Sequence, residues 1–154
     1  MPVNLNRPAP AFDLPATGGR RVRRRDLAGR PVVLYFYPRD DTPGCTREAL
    51  DFRALYPKFQ RRGAVVLGIS RDSPARHEKF KSKYDLPFDL LSDEDEAACR
   101  AFDVMREKTM YGRKVRGIER STFLLDATGT VRRVWRKVKV EGHAAEVLAA
   151  LAAL

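Results

Sequence analysis

The chain's 154 residues predict an α/β sandwich around a mixed β-sheet, and three observations carry that prediction. Short apolar runs alternate with stretches of helical periodicity along most of the length, as strands interleaved with helices require. The run Val32-Val33-Leu34-Tyr35-Phe36-Tyr37 has no charged interruption, the mark of a strand buried on both faces. Thr122-Phe123-Leu124-Leu125 and Val131-Arg132-Arg133-Val134-Trp135 flank the turn signal Asp126-Ala127-Thr128-Gly129, an antiparallel hairpin that makes the sheet mixed.

The elements follow in order. Pro8 to Pro15 reads as irregular, and Gly18-Gly19 turns a short hairpin. After the strand at 32–37 comes a Pro/Gly-punctuated loop and a helix over about 46–62. Ala49, Phe52, Leu55, Tyr56 and Phe59 form its single apolar face. Pro57 removes a backbone donor and is expected to kink this helix, and Gly63 to stop it. Ala64 to Ser70 is a second buried strand. Asp72-Ser73-Pro74 signals the start of a helix containing Phe80 and Tyr84. Pro87 to Leu91 reads as a short strand. Ser92-Asp93 is placed to cap a helix with Ala97, Ala98, Cys99 and Phe102. Residues 104–119 show no clear period, and within them Met110 and Tyr111 are expected to pack, as is Trp135 further on. An Ala/Leu-rich helix spans His143 to Leu154. With no repeat and no linker, residues 1–154 are expected to form one domain.

Bulk properties exclude several classes. A hydrophobic content of 44% is ordinary for a folded domain and rules out a disordered chain. The stretch from Met1 to Pro8 lacks the apolar segment of a secretory signal, and the runs at 32–37 and 147–154 are too short to span a bilayer. A cytoplasmic protein without a membrane partner is expected. The net charge of +10, concentrated at Arg20 to Arg25 and at Arg132, Arg133, Arg136, Lys137 and Lys139, raises the question of nucleic acid. Both clusters alternate with valines, as on solvent-facing strands, and no nucleic-acid-binding motif accompanies them. A solvated basic face is the expectation. Cys45, His77, Cys99 and His143 are spaced too irregularly for a zinc site, so neither a metal nor a cofactor is expected.

Only two cysteines occur, too few for a disulfide scaffold. Cys45 lies in Pro38-Arg39-Asp40-Asp41-Thr42-Pro43-Gly44-Cys45-Thr46, between a buried strand and a helix. In a helix's first turn, unpaired backbone N–H groups favour the thiolate, the reactive form of the sulfur. Glu48 stands where a Cys-x-x-Cys motif would place its second thiol, which disfavours dithiol exchange of that kind. Read alone, Thr42 fits a helix cap, Glu48 a first-turn carboxylate and Cys99 a buried residue beside Phe102.

The string Pro38-x-x-x-Thr42-x-x-Cys45 resembles the active-site motif of peroxiredoxins. Thr42-Pro-Gly-Cys-Thr46-x-Glu48-Ala49 is similar to the bacterioferritin-comigratory (PrxQ) subfamily in particular. Gly68 to Ser73, Leu91 to Asp93, Tyr111-Gly112 and Arg120 to Asp126 resemble further segments of that subfamily in the same order. The resemblance implies a thioredoxin-like fold and thiol-dependent reduction of hydrogen peroxide and organic hydroperoxides through a sulfenic acid on Cys45. It implies that Arg120 steadies the thiolate and hydrogen-bonds the peroxide, that the Thr42 hydroxyl contacts the substrate oxygens, and that Pro38 shields the pocket. Gly44 and Glu48 become candidate substrate-binding residues. A monomer or weak dimer follows from the same resemblance.

The chain departs from the subfamily in its second cysteine. Leu50 stands five residues after Cys45, where many members carry a resolving cysteine, and 75–85, where others carry it, contains no cysteine. Cys99 remains as the one candidate and is expected to be structural. A one-cysteine mechanism is therefore expected, with thioredoxin, glutaredoxin or a small thiol as external reductant. Resolution by Cys99 and a one-shot redox sensor are the alternatives.

Overall fold

The computed structural model describes residues 3–154; Met1 and Pro2, which begin the stretch read as lacking a signal, lie outside the described residues. A seven-stranded sheet runs in the order β2-β1-β5-β4-β3-β8-β9. Its strands are β1 (Asp13–Ala16), β2 (Arg20–Arg23), β3 (Val32–Phe36), β4 (Val65–Ser70), β5 (Asp89–Ser92), β8 (Ser121–Leu125) and β9 (Val131–Trp135). β3 pairs parallel with β4 and β4 with β5, while the remaining pairs are antiparallel, so the sheet is mixed as expected. β4 is the middle strand, and every residue of its neighbour β3, and of β8 beyond it, is buried.

Side-chain alternation along β3 divides the core. Val32, Leu34 and Phe36 pack with Phe12, Cys99, Phe102 and Phe123 on one face. Val33 and Tyr35, followed by Tyr37, pack on the other with Cys45, Phe52, Phe59, Phe80 and Val147. The second face is covered by α1 (Pro43–Arg61), α2 (Pro74–Tyr84) and α4 (His143–Ala152), and the first by the short α3 (Ala97–Ala101).

Local signals account for most element ends. α1 begins at Pro43, three residues earlier than its apolar periodicity indicates, because Thr42 supplies an extended N-cap and proline is already shaped for the first helical position. The helix runs on through Pro57 to Arg61. It ends in a Schellman arrangement, with Ala64 N–H on the Phe59 carbonyl at 3.1 Å and Gly63, at φ +71°, on that of Gln60 at 2.9 Å. Ser73 caps α2 by accepting from Arg76 N–H at 3.2 Å. Asp93 caps α3, its carboxylate accepting from Ala98 N–H at 3.0 Å and Cys99 N–H at 2.7 Å.

Residues 104–119 differ from expectation. They form a separate two-stranded antiparallel hairpin, β6 (Met105–Met110) and β7 (Arg113–Ile118). Tyr111 and Gly112, both at positive φ, make the turn. The sequence conceals these strands because both faces of the hairpin are largely exposed, so no apolar alternation is needed. Met110 and Tyr111 do not pack: Tyr111 is fully exposed at the tip. Trp135 is half-buried against His143. The second basic cluster also extends past its strand, since β9 ends at Trp135 and residues 136–139 lie beyond it. Among the described residues no helix is long and apolar enough to cross a membrane.

Candidate active site

β3 delivers the chain into the loop over 37–42, and α1 begins immediately after it. With Thr42 as N-cap, Pro43, Gly44 and Cys45 are the first three helical residues, so the Cys45 sulfur sits where the helix N–H groups are free. Cys45 is 2% exposed. Arg120 reaches it from the segment between β7 and β8, its Nη2 lying 3.4 Å from Sγ. The other guanidinium nitrogen, Nη1, donates to Glu48 Oε1 at 2.7 Å. One planar cation thus bridges the sulfur and a carboxylate, a geometry that guanidinium supplies and ammonium does not. Gly44 leaves room for it: a Cβ there would come 3.1 Å from Arg120 Nη2.

Glu48 is not a first-turn surface carboxylate. Because α1 starts at Pro43, Glu48 falls in the second turn; four residues before Phe52, it faces inward and is buried, and its Oε2 has no hydrogen-bond partner among the described residues. Burial, only partly opposed by Arg120, pushes its carboxyl up to about 7. Burial also works against the charge on Arg120, but Glu48 and Cys45 together more than offset it and raise the guanidinium. Between Glu48 and Arg120 the direction that geometry supports is a shared one: the arginine stays charged, and the carboxyl is the group that titrates.

Of the remaining candidates, Thr42 is half-buried; its hydroxyl donates to the Arg39 carbonyl at 2.9 Å and accepts from none of the helix N–H groups. Pro38 is exposed at the start of the loop. Cys99 lies apart, in the core cluster on the opposite face of the sheet from Cys45. It is fully buried, and burial together with the Asp93 carboxylate pushes its thiol well up, away from the reactive thiolate. Both cysteines are free thiols.

Three neighbours of the site carried no recognisable signal. Tyr35 stacks on Phe52 at 4.7 Å between ring centroids, and its buried hydroxyl has no partner among the described residues. His143, the first residue of α4, holds Thr122 Oγ1 at 2.8 Å through Nε2. Burial, partly offset by Glu146, lowers it to about 4, so it is neutral near pH 7. Asp40 anchors the loop from below. An apolar strand and a helix start give no hint of which polar residues the fold will bury beside them.

Glu48 and His143 oppose each other in acid. The folded Glu48 keeps its proton to about pH 7, whereas an unfolded glutamate releases it near 4.5. Its contribution to stability therefore falls as pH rises through that interval, by on the order of 3 kcal/mol. His143 takes up a proton near 6.5 when unfolded but only near 4 when folded, so its contribution is lost as pH falls from 6.5 to 4. Glu48→Gln removes the first slope and leaves the second. Denaturant titrations at about pH 5, 6 and 7 are expected to show the variant losing on the order of 2 kcal/mol more than wild type on acidification. Parallel pH–stability curves would contradict this assignment.

A model of the AhpC/TSA family matches residues 5–134 of the chain. Peroxiredoxin Bcp of Xanthomonas campestris pv. campestris is 58% identical over 151 residues, covering 97% of this chain and 94% of its own. Peroxiredoxin Bcp of Bacillus subtilis is 46% identical over 151 residues, covering 98% and 96%. Among solved structures, a cysteine-to-serine mutant of Xylella fastidiosa PrxQ superposes with a TM-score of 0.93 at 44% identity, covering 98% of this chain and 96% of its own. The Xanthomonas campestris bacterioferritin comigratory protein, solved as trapped intermediate and ligand complexes bearing on its alkyl peroxide reduction, gives a TM-score of 0.89 at 56% identity, covering 92% and 90%.

Proposed function

Because this chain belongs to the AhpC/TSA family and is a thioredoxin-fold peroxiredoxin, a thiol peroxidase similar to the Bcp and PrxQ proteins, we propose that it works by a one-cysteine mechanism centred on Cys45. The observation that carries this reading is the placement of the two sulfurs. Cys45 sits in the first turn of α1 with Arg120 Nη2 at 3.4 Å, while Cys99 is fully buried on the far side of the sheet.

In the first step the Cys45 thiolate attacks one peroxide oxygen along the O–O axis. An S–O bond forms, the O–O bond breaks, and its electron pair leaves on the second oxygen, which takes up a proton as water or an alcohol. Cys45 is left as a sulfenic acid. Arg120 holds the thiolate before attack and donates to the peroxide during it, and N–H groups of the first turn, with the Thr42 hydroxyl, receive the developing charge. Pro38 caps the outer edge of the loop. Glu48 fixes the guanidinium plane and, titrating near 7, can hold the proton that the departing oxygen requires. Hydrogen peroxide and organic hydroperoxides both fit this chemistry.

Recovery uses an external thiol. Its sulfur displaces the sulfenic oxygen as water and forms a mixed disulfide with Cys45, and a second thiol releases Cys45 with the reductant oxidised to a disulfide. A redoxin or a small thiol supplies both equivalents. Direct resolution by Cys99 would require it to leave one core cluster and pass the central sheet, because a disulfide needs Cα atoms within roughly 7 Å. We further take residues 1–154 as one domain, acting as a monomer or weak dimer, in the cytoplasm, where thiol reductants keep both cysteines reduced.

Intact-protein mass spectrometry tests the mechanism. One equivalent of hydrogen peroxide, added with a sulfenic-acid trap and no reductant, is expected to give a single adduct on Cys45 with Cys99 still free. A product two hydrogens lighter, carrying no adduct and an internal Cys45–Cys99 bond, would overturn the one-cysteine reading.

A further inference from the structure

The loop that leads to Cys45 is bolted down by a buried polar cluster that takes no part in the sulfur chemistry. At its centre is Asp40, 3% exposed and two residues before the N-cap Thr42. Tyr37 Oη donates to Asp40 Oδ1 at 2.5 Å, and His77 Nδ1 lies 2.6 Å from Oδ2. The Asp40 backbone N–H donates to Asp72 Oδ2 at 2.8 Å, and Asp72 accepts in turn from Ser70 Oγ at 2.6 Å and Arg76 Nε at 3.0 Å. The adjacent Asp41 accepts from Lys83 Nζ and Tyr84 Oη of α2, both at 2.8 Å.

His77 is the member with two distinct commitments. It is fully buried in α2, and its Nε2 lies 2.9 Å from the Leu91 carbonyl on β5. A carbonyl only accepts, so Nε2 carries a proton, and a second proton lies between Nδ1 and Asp40. One nitrogen therefore ties the helix to the sheet, and the other ties it to the Cys45 loop. Asp40, Asp72 and His77 also bring together groups of metal-binding type, but every donor atom is already engaged within the cluster.

Burying such groups is costly, and stability alone would be served as well by apolar residues of similar size. What the cluster specifies is the position of Asp40, and only Asp41 and Thr42 separate Asp40 from the first helical residue. We propose that His77 is a positioning residue for the peroxidase reaction, fixing through Asp40 the loop that presents Thr42 and Cys45 to peroxide. Displacing a reacting group by about 1 Å can cost about a hundredfold in rate, so a partial loosening of this loop is worth about tenfold. The inference rests on the reading of Cys45 as the oxidised residue.

Two substitutions separate the commitments. His77→Asn keeps an amide N–H near the position of Nδ1 and so retains the bond to Asp40 while losing Leu91. His77→Gln does the reverse. Second-order rate constants for oxidation of Cys45 by hydrogen peroxide are expected to fall about tenfold in H77Q and to stay within about threefold of wild type in H77N. Alkylation of Cys45 by iodoacetamide, which does not use the Thr42 hydroxyl, is expected to stay within about threefold in both. A residue that only holds the fold together would lower Tm in both variants and leave both rate constants unchanged. Wild-type peroxide rates in H77Q, or equal losses in H77N and H77Q, overturn the inference. If neither variant folds, Tyr37→Phe removes the other donor to Asp40 with almost no change of shape. It is expected to slow peroxide severalfold with alkylation unchanged, and an undiminished rate overturns the proposal. Peroxide consumption that survives Cys45→Ser would overturn the Cys45 reading itself, and this inference with it.

Discussion

Replacing Cys45 by serine is expected to lower peroxide consumption by more than about a thousandfold, to the background rate. A serine hydroxyl is not ionised near neutral pH, and its oxygen cannot be oxidised as sulfur is, so the step in which O–O breaks has no acceptor. The fold should survive the change. The site is nearly closed, at 2% exposure, but Arg120 Nη2 at 3.4 Å can donate to an oxygen as it does to the sulfur. Thermal melting within a few degrees of wild type would show that the loss is chemical. Cys99→Ser should give the opposite profile. Its peroxide rate should stay near wild type, while a hydroxyl in the apolar cluster with Phe102 and Phe123 lowers stability by about 1–3 kcal/mol. Activity kept in C45S and lost in C99S would reverse the assignment.

Replacing Arg120 by methionine removes one side chain and disturbs two partners. Cys45 loses its cation and the peroxide loses a preorganised donor, a change worth about a hundred- to a thousandfold in the second-order rate constant. Glu48 loses the Coulomb attraction and the hydrogen bond that hold its carboxyl down against burial, so it moves above about 7 and is neutral across the physiological range. That proton uptake relieves what would otherwise be an uncompensated buried charge. The stability deficit should therefore be small in acid and grow as pH rises, towards about 3–5 kcal/mol once Glu48 is forced to ionise. Arg120→Lys is expected to fall between, since one ammonium cannot span 2.7 Å to Glu48 and 3.4 Å to Cys45 in the same plane. Stopped-flow oxidation rates and denaturant titrations at several pH values check both arms. A peroxide rate in Arg120→Met within about threefold of wild type would remove Arg120 from the reaction.

The legible parts of the fold were those written in local patterns. Val32 to Tyr37 had to be a central strand because no face of it tolerates water, and the helix after Cys45 follows from Ala49, Phe52 and Phe59 at helical spacing. The hairpin of β6 and β7 stayed hidden because its strands bury little beyond Ile118 and so leave no period. Glu48 was misread for a different reason: an acidic residue near a helix start is ordinarily solvated, yet Glu48 stands four residues before Phe52, on the face that α1 buries. His77 and Asp40 were legible only as polar residues. Nothing local distinguishes a buried, fully bonded histidine from a surface one.

By itself the sequence determined the alternation of strands and helices, the position of Cys45 at a helix start, and the absence of a nearby partner thiol. Each of these depends on neighbours within a few residues, where spacing and backbone preference act directly. Only the tertiary structure decided that Arg120, 75 residues away along the chain, stands beside that sulfur, and that Glu48 shares its guanidinium. It also decided that Cys99 lies behind the sheet and that His77 grips the loop. These facts depend on the order in which strands pair, and on alternate residues of β3 facing opposite cores. A side chain's distant neighbours are set by that topology and by the cost of burying polar groups unpartnered, which no local pattern records.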